Sequence, residues 1–206
     1  MSETRPAQTV LERQLAGDGN GHGPTAMDAF RAARRKFMRG ERLDMQELAA
    51  ELGVGRATLY RWVGSREQLL GEVLWSLTES TFERLKAEAN RLHAGNGVDW
   101  LLYIYEQFGV YTVGFAALRK WIDSEPELAM RVMTSKHAQQ QRRVIGVYED
   151  LLREAIAEHG LQITLELHTL AYVLVRIGES FLWTDLITGE EPNLHEAAEV
   201  ARVLLT

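Results

Sequence analysis

Apolar residues recur at helical spacing from about residue 25 almost to the end of the chain, with only four prolines to interrupt them and no sustained period-two alternation. Such segments each carry one apolar stripe that another helix must cover, so the pattern restricts the chain to helices packed on helices. The expected fold class is all-α. At 206 residues the chain is long enough for a small domain joined to a larger one, each with its own core. The run from Gly17 to Pro24 alternates glycine with polar residues and is too glycine-rich to hold regular structure. Residues 1–24 therefore read as a flexible tail, residues 25–70 as a three-helix domain, and residues 71–206 as a larger helical body.

Start and stop signals divide the first domain. Thr25, with Asp28 at the third position, opens a helix that places Ala29, Phe30, Ala33 and Phe37 on one face and stops at Gly40. Its opposite face carries Arg31, Arg34 and Arg35. Asp44 with Glu47 opens a short helix presenting Leu48, Ala49 and Leu52, and Gly53 suits the left-handed position that ends it. A third helix runs from about Gly55 to Val63, with Leu59 and Val63 one turn apart on its inner side. Gly64-Ser65 ends it, and Ser65 with Gln68 caps a long fourth helix reaching to about Leu92.

The stretch from Met45 to Val63 thus has the form helix, tight turn, helix, with small Ala49 where the two helices cross and Leu48, Leu52, Val54, Leu59 and Val63 as a miniature core. With Leu59 and Val63 facing inward, Arg56, Thr58, Tyr60, Arg61 and Trp62 are left wholly or partly outward. That set suits the major groove: arginine can pair with guanine, threonine can touch a base edge or a thymine methyl, and tyrosine and the remaining cations can bind phosphate. Met45 and Gln46, opening the second helix, and Gly55 and Ala57, opening the third, complete the surface expected to meet a duplex. The helix starts at Thr25 and Ser65 offer backbone N–H donors to phosphate, with Arg66 beside the second. Trp62 either joins this surface or packs under the fourth helix. The bland alternative is a solvated basic face with no partner; the coincidence of a capped helix, a glycine turn and exposed aromatics within one short window favours DNA.

The charge distribution agrees. The net charge is -6, yet residues 24–66 hold nine Lys/Arg against five Asp/Glu, while the remainder holds 14 against 24. A basic module attached to an acidic body is what results when only the module meets phosphate.

Residues 48–70, LAAELGVGRATLYRWVGSREQLL, resemble the DNA-binding signature of the TetR family of bacterial transcription regulators. Thr58-Leu59-Tyr60 and Ser65-Arg66-Glu67 match in place; Trp62 stands where the family commonly has histidine, and Val63 where it has phenylalanine. The segment Arg176 to Trp183 resembles more loosely the QsdR-like branch, associated with lactone catabolism. The resemblance implies an N-terminal helix-turn-helix domain followed by a helical ligand-binding and dimerisation domain. It further implies a repressor that releases its operator when a ligand moves the reading heads through the fourth helix.

One reading helix contacts too few bases to find a single genomic site, so such modules act in pairs on half-sites about 34–36 Å apart or multiples of it. The expected homodimer interface lies in the last two helices, about Thr164 to Thr188 and Leu194 to Leu205. Between the fourth helix and these, Trp100, Tyr103, Tyr105, Phe108, Tyr111, Phe115, Trp121 and Tyr148 are dense enough to enclose a small apolar or aromatic effector, though core packing explains most of them equally well. His137, Tyr172, Arg176 and Glu179 complete the candidate ligand set. Arg176 and Glu179 suit either the pocket or the dimer interface, and His137 and His168 also fit the role of hydrogen-bonded core histidines.

Other classes of function are disfavoured. Zero cysteines exclude disulfides, thiolate metal sites and a cysteine nucleophile, and they are compatible with a reducing cytoplasm. There is no phosphate-binding glycine-lysine loop, no nucleophile elbow and no His-Glu-x-x-His pair, so neither an enzyme nor a cofactor or metal site is expected. No N-terminal apolar stretch resembles a signal peptide, and the apolar segment Leu165 to Ile187 carries too many ionisable residues for a membrane span, so the expected location is cytoplasmic. The competing reading is a helical small-molecule-binding or protein-interaction module whose helix-turn-helix no longer binds DNA specifically.

Overall fold

The computed structural model describes residues 9, 11, 23–134 and 139–206. Among them every regular element is an α-helix: α1 (Ala26–Met38), α2 (Met45–Glu51), α3 (Arg56–Val63), α4 (Arg66–Leu92), α5 (Gly97–Gly114), α6 (Ala116–Ser124), α7 (Pro126–Thr134), α8 (Gln140–His159), α9 (Leu167–Leu182), α10 (Thr184–Ile187) and α11 (Leu194–Leu205). The chain is all-α, as its periodicity requires, with an N-terminal helix-turn-helix and a helical C-terminal part. Among the described residues no helix is long and apolar enough to cross a membrane.

Two compact units divide these helices. The first contains α1, α2, α3, α4 as far as Ser76, and the chain from Lys120 through α7. Its three short helices pack pairwise on one another, burying Phe30, Phe37, Leu48, Leu59 and Val63. The second contains Leu77–Arg119 and Gln139–Thr206. There α5, α8, α9 and α11 pack together around Trp100, Ile104, Leu152, Leu170, Leu174 and Ala201. Sequence reasoning placed everything after residue 70 in the body; instead the chain returns to the N-terminal unit at residues 120–134. The contact that explains it is aromatic: Trp121 lies edge-on to Phe37 of α1, with ring centroids 5.7 Å apart.

Local signals set the helix ends. Gly40, Gly53 and Gly64 all have φ near +70°, where a side chain would be strained, and each closes one of the first three helices. The single long helix expected over residues 164–188 is interrupted. Trp183 leaves helical geometry at φ −107°, ψ 17°, and the Thr184 hydroxyl donates to the carbonyls of Ser180 and Phe181 at the break. Of the expected flexible tail, residues 1–8, 10 and 12–22 lie outside the described residues. Leu11 is fully buried, as a residue of a solvated tail would not be.

Candidate nucleic-acid interface

The inner side of α3 consists of Leu59 and Val63, both 0% exposed. One residue on from Leu59, Tyr60 is 42% exposed, and Arg56, Ala57 and Arg61 are exposed with it. This follows from the 100° step between successive helical residues: a helix pinned by positions 59 and 63 turns 57 and 61 away from its support and 60 to the side, while Arg56 is exposed as the first residue of the helix. Thr58 and Trp62 are half-buried at the edges of that surface. Arg56 and Arg61 have no ion-pair partner among the described residues. The N-cap of α3 is Gly55, which has no side chain to bond the first-turn N–H groups, so the helix begins with donors that no side-chain cap occupies. Exposed Gln46 and Gly55 lie at the starts of α2 and α3.

Three expected DNA contacts are placed differently. Met45 is 6% exposed and belongs to the core, because α2 needs an apolar residue beneath its first turn. Thr25 is engaged in a capping box: its backbone N–H donates to the Asp28 carboxylate at 3.0 Å and its hydroxyl accepts from the Asp28 N–H at 3.2 Å. The start of α1 therefore already holds an anion, where the sequence reading left room for a phosphate. Ser65 is capped in the same way by Gln68.

Arg66 is the third. Its Nε donates to the Leu43 carbonyl at 2.6 Å and a terminal nitrogen donates to Glu125 at 2.5 Å. The other Glu125 oxygen accepts from Arg42 Nε at 3.0 Å. The hydrogen bond from Arg66, then the charges of Arg66 and Arg42, hold the Glu125 carboxyl below the ordinary carboxylate range despite partial burial. Glu125 and Arg42 were not singled out in the sequence. The partners lie 59 and 83 positions apart, and no local spacing announces such a bond.

In the second unit the aromatic residues are largely packed on one another. Phe82 stacks on Phe108 at 4.3 Å and meets Tyr148 edge-on at 5.6 Å, while Tyr105 meets Tyr148 at 5.9 Å. Burial pushes the Tyr105 and Tyr148 hydroxyls well above their usual range, and the Tyr105 hydroxyl donates to the Leu174 carbonyl at 3.0 Å. Trp100 is fully buried, stacks on His159 at 4.7 Å and donates its indole N–H to Asn90 at 2.6 Å. Tyr103 donates to Glu88, and Tyr111 lies beneath the Arg84 guanidinium at 4.0 Å.

Several expected ligand residues stand apart from this cluster. Trp121 belongs to the first unit, Tyr172 is 48% exposed, and His137 lies outside the described residues. His168 is exposed, not a core residue, and pairs with Glu149 at 2.6 Å, which raises its pKa. Arg176 and Glu179 are paired at 2.6 Å, and Gln141 joins both, donating to Glu179 and accepting from Arg176. Burial is the larger influence on Glu179 and raises its pKa, whereas Arg176 lies on the exposed side with Tyr172. A surface cleft of about 430 Å³ is lined by Asn96, Val98, His159, Leu161 and Leu205 among others, and by none of the expected ligand residues. Glu154, Glu158 and His159 bring three possible metal-ligand atoms within 4.8 Å, but Glu154 pairs with Lys86 and His159 Nδ1 accepts from the Gly95 N–H.

Comparison with known proteins agrees with this arrangement. Residues 96–206 match the family model for the tetracyclin repressor-like C-terminal domain. The structure of QsdR, a transcriptional repressor from the TetR family of R. erythropolis, superposes with a TM-score of 0.79 at 29% identity, over 87% of this chain and 93% of that one. AlkX from Dietzia sp. strain DQ12-45-1b, a TetR-family repressor implicated in biodegradation of n-alkanes, shares the fold with a TM-score of 0.59 at 20% identity, over 90% of this chain and 96% of that one. No curated protein sequence matches. With the family's C-terminal domain matched over more than half of the chain, and a helix-turn-helix folded ahead of it, this protein belongs to the TetR family of transcription regulators.

Proposed function

We propose that the protein is a cytoplasmic, non-catalytic, homodimeric repressor that binds a double-stranded DNA operator through the outward surface of α3 and releases it on binding a small apolar or aromatic effector. One observation carries the DNA-binding reading: Leu59 and Val63 are wholly buried while Tyr60, Arg56 and Arg61 stand exposed beside them. A short helix that presents a phenol and two guanidinium groups, neither ion-paired among the described residues, has the chemistry of a groove reader. The assignment as a repressor draws on the likeness to QsdR, itself a transcriptional repressor.

Dimerisation through α9 and α11 draws on the apolar residues those helices expose. Tyr172 is 48%, Val200 40% and Val203 76% exposed, an excess that a second copy would cover. Arg176 shares that exposed side and belongs with the interface; Glu179 and Gln141, half-buried, belong with the effector. Effector binding in the second unit acts on DNA affinity through α4, which continues from one unit into the other, by favouring a spacing of the two heads that does not fit the operator.

Fluorescence anisotropy on the DNA upstream of the protein's own gene tests the proposal. Specific binding whose logarithm falls steeply and linearly with the logarithm of salt concentration is expected. Equal affinity for every duplex would instead favour a ligand-binding or protein-interaction module that has lost specific DNA recognition.

A further inference from the structure

We propose that Glu125 is a positioning residue for DNA reading: its carboxylate ties together the two chain segments that flank the helix-turn-helix and so fixes the pose of α3. The inference rests on the DNA-binding role proposed for α3 and adds a residue outside the signature segment, one that touches no DNA itself.

The geometry is that of a clasp. Arg42 and Leu43 lie in the connection between α1 and α2, just ahead of the motif, and Arg66 is the first residue of α4, just behind it. The Arg66 fork reaches both: its Nε bonds the Leu43 carbonyl at 2.6 Å and a terminal nitrogen bonds Glu125 at 2.5 Å, while Arg42 bonds the second Glu125 oxygen at 3.0 Å. The entry and the exit of the motif are thus fastened to each other and to the corner between α6 and α7. The burial pattern ranks the two bonds. Glu125 is 15% exposed and Arg66 23%, against 80% for Arg42, so the Arg66 arm is the shielded and stronger one.

Such a clasp matters to one kind of binding more than another. Non-specific affinity counts neutralised phosphates and tolerates a shifted or tilted helix. Base-edge hydrogen bonds need donors and acceptors within about 2.7–3.2 Å, so a small change in the pose of α3 removes them. Glu125 therefore governs the ratio of operator to non-specific affinity. The clasp also reverses the role expected for Arg66, from a phosphate contact to an internal tie.

Two variants test this in the full-length protein, with operator and random-sequence duplexes titrated side by side and melting followed by circular dichroism. Glu125→Gln keeps the shape but removes the charge. Arg66→Lys keeps the charge but loses the fork that spans Leu43 and Glu125. Both are expected to lose about tenfold or more in operator affinity while their affinity for random duplex stays within about twofold, with the salt slope unchanged. A purely structural role would lower the melting temperature and both affinities together, and that result overturns the proposal. Had Arg66 been a phosphate contact, Glu125→Gln would free it and tighten binding to both duplexes, and Arg66→Lys would keep most affinity; either outcome also overturns it. A wild type that does not prefer operator overturns the DNA-reading role and this inference with it, whereas preserved operator binding in both variants overturns only the clasp.

Discussion

Replacing Tyr60 and Arg61 together by alanine is expected to cost the protein about 100-fold or more in operator affinity with little change in helix content or melting temperature. The reasoning starts from burial. Both side chains are exposed on α3, and Arg61 has no ion pair among the described residues. Surface substitutions of that kind change stability by about 0.5 kcal/mol or less. In the proposed DNA complex the same side chains would meet phosphate and base edges. Loss of a good arginine contact costs about 1–3 kcal/mol, and each 1.4 kcal/mol is about tenfold in affinity. A dimer carries the substitutions on both half-sites, so the losses combine. Anisotropy titration of wild type and variant on the same operator gives the number; equal affinities would place the contact surface elsewhere.

Trp100→Ala is expected to have the opposite character: a loss of about 3–5 kcal/mol of folding stability, with any change in effector or operator binding following from unfolding. Trp100 is sealed from solvent. It is 0% accessible, lies flat against His159 with the ring planes 25° apart, and supplies the indole N–H bonded to Asn90. Truncation leaves a cavity in the core of the second unit and an acceptor without its donor. Sequence reasoning made Trp100 a candidate effector contact, and urea denaturation separates the two roles. A core residue moves the unfolding midpoint strongly. A pocket wall would leave the midpoint near that of wild type and remove effector binding.

These two sites mark the boundary of what is legible in the sequence. The outward side of α3 is legible because every signal for it is local. Thr25, Asp44, Gly40, Gly53 and Gly64 punctuate the helices, and the spacing of Leu59 and Val63 decides which side of α3 is free. The start of α4 and both ends of α11 were legible for the same reason. Amphipathic spacing tells which residues turn inward, but not which neighbour covers them. The return of residues 120–134 to the first unit, and the engagement of Arg66 by a carboxylate 59 positions away, therefore left no trace in the pattern. Arg66 looked like a phosphate contact because it stands in a basic module, and only the fold supplies the acid that occupies it.

Tyr172 is a different case. Leu170, Ala171, Leu174 and Val175 are all buried, and that spacing already places position 172 on the outer side of α9. That spacing outweighs the general tendency of aromatics to line pockets. Met45 belongs to the motif, yet an apolar residue at the start of a short helix is more economically buried.

Thiol labelling offers the most direct test of the central claim that the outward side of α3 meets DNA, because the chain contains no cysteine of its own. Single cysteines at Ala57, Tyr60 and, as a control on the second unit, Glu158 are reacted with a maleimide in the free protein and in the operator complex. The account predicts rapid labelling of all three in the free protein and strong protection by operator of positions 57 and 60 alone. Undiminished labelling at 57 and 60 in a complex verified to be bound, or failure of those positions to react in the free protein, would contradict it.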